Sequence, residues 1–150
     1  MAHKFSVTAL DSASDRSIVD SGSERLDGYF RTQVSQDIKR RVTACFVATA
    51  MHGQIAGYYT LASASVVLAD LPEATVKKLP RYPSVPAVRM GRLAVDKSFK
   101  GQGLGAALLA DALHRAATAE IAAYAFVVDA KDATAANFYA HHGFVALPQQ

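Results

Sequence analysis

The sequence predicts a single α/β domain over residues 1–150, and three observations carry that expectation. Runs of β-branched and aromatic residues alternate along the chain with segments whose apolar residues recur at helical spacing. With 150 residues, 51% hydrophobic and only 19% charged, the chain suits one compact core and has no length for a second. A glycine-rich loop, Lys100-Gly101-Gln102-Gly103-Leu104-Gly105, stands between a strand-like and a helix-like segment.

In chain order, Phe5 to Leu10 reads as a short opening strand, followed by a Ser/Asp-rich turn from Asp11 to Asp20. Ser21 and Glu24 have the spacing of a helix-starting capping box, and Leu26, Tyr29, Phe30, Val34 and Ile38 then mark one apolar helical face. Cys45 to Met51 and Ile55 to Leu61, parted by His52-Gly53, read as an antiparallel hairpin continuing into Ser63 to Leu68. Pro72 to Pro86 is a proline-punctuated surface excursion with a short helix. Val88 to Val95 reads as a strand, and Leu104 to Ala117 as a helix with Leu104, Leu108, Leu109, Ala112 and Leu113 on its apolar face. A strand from Tyr124 to Asp129, a helix capped by Asp132 and running to His141, and a closing strand from Gly143 to Leu147 complete the reading.

Composition excludes several classes. One cysteine, Cys45, makes no internal disulfide framework, and with five scattered histidines it makes no zinc signature. No run of about 18 apolar residues exists to cross a bilayer, and the first residues lack a signal-peptide core. The expectation is a cytoplasmic protein without membrane or metal. Net charge is only +3, yet the cations cluster: Lys39, Arg40 and Arg41 form one group, and Lys77, Lys78, Arg81, Arg89 and Arg92 another with no acidic residue among them. Such clusters suit an anionic partner.

The glycine-rich loop carries most of the chemistry. Alternate glycines let backbone approach a ligand closely, and the helix that follows aims its unpaired N–H groups and positive dipole end at the loop, an arrangement suited to pyrophosphate. A P-loop would end in Gly-Lys-Ser/Thr, whereas Gly105 is followed by Ala106-Ala107, and a dinucleotide fingerprint belongs near the first strand.

Arg92-Leu93-Ala94-Val95-Asp96 followed by Lys100, Gly103 and Gly105 resembles the acetyl-CoA-binding segment of the GNAT N-acetyltransferases. The resemblance continues in Ala136-Asn137-Phe138-Tyr139 and Gly143-Phe144. Lysine at position 100 departs from the family's Gln or Arg. The chain is similar above all to the GNAT toxins of type II toxin–antitoxin modules, which acetylate aminoacyl-tRNA. That similarity rests on Leu26-Asp27-Gly28-Tyr29-Phe30-Arg31, Gln36-Asp37, Lys39-Arg40, Gly57-Tyr58-Tyr59-Thr60-Leu61, Tyr82-Pro83-Ser84-Val85-Pro86 and Gly91-Arg92-Leu93-Ala94-Val95. Val19-Asp20-Ser21-Gly22 departs from the subgroup's usual Phe-Asp-Cys-Gly.

The resemblance implies the GNAT fold, a mixed and mostly antiparallel sheet splayed at the acetyl-CoA site with helices on both faces. It also implies acetyl-CoA as cosubstrate, with Leu93, Ala94 and Val95 along the pantetheine, where a backbone N–H polarises the thioester carbonyl. The pyrophosphate would lie on Lys100, Gly101, Gln102, Gly103, Leu104, Gly105 and Ala106, with Asn137 as a further contact. Tyr139 takes the position of the general acid that protonates the leaving sulfur. Lys39, Arg40, Arg41, Lys77, Lys78, Arg81, Arg89 and Arg92 are the candidate tRNA contacts. A ribbon-helix-helix antitoxin and a homodimer are the expected assemblies.

No carboxylate stands within Val88 to Val95 to serve as a general base. At pH 7 a lysine amine is free base in roughly one molecule in 2,500 and an α-amine in about one in seven, so a site without a base suits the α-amine. His141 and His142 point in different directions on a helix, His114 reads as a solvated helix residue, and Cys45 as a buried apolar residue. Two other classes stay open from the residues: a GNAT enzyme for a small amine or a protein N-terminus, and a non-catalytic module binding coenzyme A or nucleic acid.

Overall fold

The computed structural model describes residues 5–12 and 14–147. Strand β1 (Ser6–Ala9) is followed by helices α1 (Glu24–Thr32) and α2 (Val34–Lys39), then β2 (Ala44–Thr49) and β3 (Ile55–Val67). After a short 3-10 turn (Leu68–Asp70) come α3 (Glu73–Val76), β4 (Ser84–Val95), α4 (Leu104–Thr118), β5 (Ala125–Val128) and α5 (Ala133–His141). The sheet order is β1-β2-β3-β4-β5, antiparallel throughout except that β5 runs parallel to β4 after the crossover through α4.

Adjacent tyrosines on β3 show what each face meets, because successive strand side chains point to opposite sides. Tyr58 stacks on Phe30 of α1 with ring centroids 4.2 Å apart, and its hydroxyl donates to the Leu26 carbonyl at 2.6 Å. Tyr59 faces α4, where its hydroxyl donates to Asp111 Oδ2 at 2.5 Å, and Arg115 Nε donates to the same oxygen at 2.8 Å. Both phenols are pushed above their ordinary pKa, first by burial. Leu26, Phe30, Val34, Cys45, Val47 and Tyr58 belong to one core cluster, Ala48, Tyr59, Met90, Leu104, Leu108 and Tyr139 to a second, and Val66, Leu71, Val85 and Ala87 to a third. Cys45 is buried as expected, its thiol pushed up to about 12 chiefly by desolvation.

Four local expectations are corrected. The N-cap of α1 is Ser23, whose side chain accepts from Leu26 N–H at 3.4 Å; Ser21 instead donates its hydroxyl to Asp27 at 2.7 Å. The expected single helix breaks at Gln33, just after Thr32 turns its hydroxyl back onto the Gly28 carbonyl at 2.7 Å, a bond that competes with regular helix geometry. Strand β4 starts at Ser84, so the proline-rich excursion is shorter than expected. Residues 143–147 form no strand, because Gly143 at φ +93° ends α5 and Phe144 N–H donates to the Tyr139 carbonyl at 3.0 Å, folding the chain back as a helix cap.

The feature that positions the site is a bulge in β4. Thr60 pairs with Arg92 but Leu61 pairs with Met90, leaving Gly91 as the extra residue. Strand β5 accompanies β4 only from Ala87 to Met90, so Gly91 to Val95 has no strand on that side and the sheet opens. On the inner side β3 is pressed close: a Cβ on Gly57 would lie 2.7 Å from the Ala94 carbonyl oxygen and 3.1 Å from Leu108 Cδ1. Gly57→Ala is therefore expected to destabilise the fold by about 2 kcal/mol, read as a lowered urea midpoint with an unchanged slope.

Candidate active site

The opened end of β4 leads into a loop with its own internal bracing. Asp96 caps a 3-10 turn (Lys97–Phe99) by accepting from Ser98 N–H at 2.8 Å, and its backbone N–H donates to the Ala56 carbonyl at 2.8 Å. Gly101 and Gly103 follow at φ +80° and +78°, in the left-handed region that favours glycine, and a Cβ on either would meet nothing within 4 Å. Gly103 is the N-cap of α4 and offers no side-chain acceptor; the first bond into the helix is Ala107 N–H to Gly103 C=O at 3.0 Å. The amides from Gln102 to Ala106 thus donate to no acceptor among the described residues. An open cradle of unused N–H groups at the positive end of a 15-residue helix is suited to an anion.

Gly105 is small for a different reason: Phe138 of α5 lies 3.7 Å from where its Cβ would stand, and Val95 Cγ2 3.9 Å. This contact draws α5 against the loop and places Tyr139 at the opening. Tyr139 is only 8% exposed and packs edge-on against Phe138 and Phe144. Its hydroxyl has no hydrogen-bond partner among the described residues, and no fully buried side-chain oxygen is left unpaired, so the hydroxyl keeps contact with solvent. Burial, followed by the charge of Asp129 just beyond β5, pushes its pKa up to about 12, which keeps the proton on the phenol across the neutral range.

The predicted cofactor residues of β4 and the glycine loop are contiguous here, except that one side chain turns away. Leu93, Ala94 and Val95 line the free length of β4, opposite Tyr59, Tyr58 and Gly57. The Lys100 side chain leaves the loop and donates to the Ser21 carbonyl at 2.9 Å. Asn137 is exposed on α5.

The predicted substrate cations fall into two places. The bulge sets Arg89 and Arg92 on one face of the sheet although they are three residues apart, opposite Ala62 and Thr60 respectively. Arg92 is half-buried, its guanidinium carbon 3.4 Å from the centre of the Tyr29 ring on α1, and Arg89 lies 3.7 Å from Asp129. Lys39, Arg40 and Arg41 end α2 nearby; Arg41 and the β3 residues Ala62 and Ser63 line a shallow cavity of about 280 Å³. Lys77, Lys78 and Arg81 stand exposed at the far end of the β3–β4 ladder, away from the opening.

Sequence reading missed the partners that hold this arrangement: Tyr29, Asp37, Asp20, Asp27 and Asp96. Tyr29 donates its hydroxyl to Asp37 at 2.7 Å, which fixes the ring under Arg92 and lowers the Asp37 pKa. Asp27, Tyr29, Asp37 and Asp96 fall within the motifs that carry the resemblance and Asp20 within an Asp/Ser-rich turn, but neither signal says what these side chains face. Among the described residues no group of three or more His, Cys, Asp or Glu is placed to hold a metal ion. No helix among the described residues is long and apolar enough to cross a membrane.

A family model for the GNAT acetyltransferase domain matches residues 16–150. The chain belongs to the GNAT acetyltransferase family. Within that family it is 36% identical over 141 residues to a tRNA-acetylating toxin of Mycobacterium tuberculosis, covering 93% of this chain and 83% of the relative. Its structure superposes with a TM-score of 0.88 on AtaT complexed with acetyl-methionyl-tRNAfMet, at 29% identity over 97% of this chain and 89% of the other. AtaTR bound with acetyl-CoA follows at a TM-score of 0.81 and 29% identity, over 95% and 86% of the two chains.

The GNAT fold implies acetyl-CoA, and the residues fit it. The open glycine cradle suits the pyrophosphate, and the unpaired β4 edge suits the amide-bearing arm. The Tyr139 proton gives a check on the geometry. The neutral phenol is favoured in the fold, so its contribution to stability is complete below pH 10 and is lost as pH rises through about 12. The difference in alkaline ultraviolet titration between wild type and Tyr139→Phe should show one phenol titrating near 12, moved downward by Asp129→Asn. A midpoint near 10 would mean that the phenol is fully solvated.

Proposed function

We propose that this chain transfers the acetyl group of acetyl-CoA to the α-amino group of aminoacyl-tRNA and so blocks translation. The observation that carries the reading is the placement of Arg92 and Arg89 on one face of the sheet, with the Lys39–Arg41 cluster at its edge, beside the opening that Tyr139 faces. The similarity to a tRNA-acetylating toxin and to tRNA-bound AtaT supports it.

Acetyl-CoA supplies an activated thioester; the protein supplies position and protons. The amides of Gln102 to Ala106 and the dipole of α4 receive the pyrophosphate, and the free edge of Leu93 to Val95 aligns the arm. Tyr139 stays protonated at neutral pH and gives its proton to the departing sulfur. No carboxylate lies along β4, which suits an amine already free in a useful fraction, as an α-amine is and a lysine is not. The arginines neutralise phosphates near the acceptor end. Lys77, Lys78 and Arg81 form a second cationic surface for the more distant RNA backbone.

A chain with this activity halts protein synthesis in its own cell, so it needs an inhibitor. We assign that part to an antitoxin of the ribbon-helix-helix type. The homodimer and the cytoplasmic setting belong to the same proposal.

Coenzyme A release is expected with charged tRNA and not with deacylated tRNA, and Tyr139→Phe should lower kcat by about 100-fold while leaving the fold intact. Turnover with free amines alone would replace this reading with that of a small-amine enzyme. Arg41 provides a second test. It sits at φ 59°, at the end of α2, where glycine is favoured. Arg41→Gly should stabilise the fold by about 1 kcal/mol and yet weaken tRNA binding, reducing the salt slope by about one unit. A gain in stability without loss of affinity would remove Arg41 from the RNA surface.

A further inference from the structure

The segment Asp20-Ser21-Gly22 is gripped on one side by α1 and on the other by a part of the chain more than 70 residues further on. From the cofactor side, Asp96 Oδ2 accepts from Asp20 N–H at 2.9 Å, and Lys97 N–H donates to the Asp20 carbonyl at 2.8 Å. The Lys100 ammonium donates to the Ser21 carbonyl at 2.9 Å. From the α1 side, both carboxylate oxygens of Asp27 accept from Ser21 N–H, at 3.0 and 3.1 Å, and one accepts from the Ser21 hydroxyl at 2.7 Å. Ser21, Asp27 and Asp96 are all buried. A continuous path of charge-assisted bonds therefore runs from the glycine loop through Ser21 into α1. The same helix carries Tyr29, on which Arg92 rests at the acceptor side.

Ordinary loop packing accounts for some of these bonds. The position of the loop argues for more. Its amides from Gln102 to Ala106 have no acceptors among the described residues and its glycines leave it conformationally free, so its shape depends on the residues that flank it, Asp96 and Lys100. Whatever holds those two residues sets how much order a ligand must supply on binding, and that cost is subtracted from affinity.

We propose that Lys100 and Asp96 are positioning residues that join the acetyl-CoA loop to α1 through Ser21 and Asp27, so that cofactor binding and the acceptor wall are energetically coupled. This inference rests on the reading that the loop holds acetyl-CoA. Coupling is reciprocal: whatever acetyl-CoA does to the order of α1, a seated acceptor does to acetyl-CoA affinity by the same factor.

The test uses the full chain and acetyl-CoA itself, with calorimetric Kd and hydrogen exchange as readouts. In the wild type, acetyl-CoA should slow exchange of amides in α1 from residue 24 to residue 30, which the path reaches only through Ser21 and Asp27. Lys100→Met should raise the Kd about 5-fold and abolish that remote protection, and Lys100→Arg should restore most of both. Asp27→Asn, which alters a buried residue bonded only to Ser21 among those of the path, should raise the Kd about 3-fold through coupling alone. Ser21→Ala is the milder variant should Asp27→Asn fold poorly, and it should shift the Kd in the same direction. Wild-type affinity in Ser21→Ala and Asp27→Asn, or remote protection that survives Lys100→Met, would overturn the coupling and leave the donor reading standing. Failure of the wild type to bind acetyl-CoA would overturn both.

Discussion

The parting of β4 from β5 beyond Met90 is the constraint on which the site depends. Up to that residue the sheet is continuous, with β3 on one side of β4 and β5 on the other. Past it, the extra residue Gly91 turns β4 so that Gly91 to Val95 keeps β3 on one side and loses a strand on the other. Backbone groups there are left for a ligand rather than for the fold, a state tolerated only where solvent or a ligand can reach them. The same bulge changes side-chain parity, which is why Arg89 and Arg92 share a face while Met90 joins the opposite core.

The opening is kept from collapsing by contacts on both faces. On the α4 side, Leu104, Leu108 and Leu109 pack onto the sheet, and the Tyr59–Asp111–Arg115 network ties the helix to β3. Arg115 also lies over Phe46 and donates to the Val7 carbonyl at 3.2 Å, so the outermost strand is held by the same side chain. On the α1 side, Phe30 and Tyr58 make the stacked centre of the core, and Arg92 closes the edge against Tyr29. Tyr139 therefore faces a gap with fixed walls, and its raised pKa follows from those walls more than from any one charge.

Charge is divided in a way that suits two anionic substrates. The glycine cradle offers backbone N–H groups and a helix dipole, while Lys100 is turned away onto Ser21. Side-chain cations are concentrated instead on the face of α1, α2 and β4. A donor held by dipoles and an acceptor held by arginines need not compete for the same positive charge. Screening by salt acts mainly on the second, since exposed charges are screened and local dipoles within a packed loop are screened less.

Much of this was legible in the sequence. Hydrophobic periodicity located β1 to β5, α4 and α5 to within a few residues, because side chains that repeat at two or at 3.6 residues must bury one face. The glycine loop, Tyr139 and the cation clusters were readable because their chemistry depends on residue type and local order. Ser21 was misread as a helix cap because its hydroxyl has two possible partners in one turn, and the buried Asp27 carboxylate wins it. The strand expected at residues 143–147 was misread because Gly143 and Phe144 suit a helix cap as well as a strand entry. The sequence by itself determined most of the strands and helices and singled out the glycine loop and Tyr139 as candidates for anion-binding and proton-donating chemistry, since both follow from local pattern. Only the tertiary structure decided that Lys100 reaches Ser21, that Asp96 holds Asp20 and that Arg92 rests on Tyr29. These contacts join residues more than 60 positions apart, and no local pattern specifies which distant partner a polar side chain meets once the core has closed.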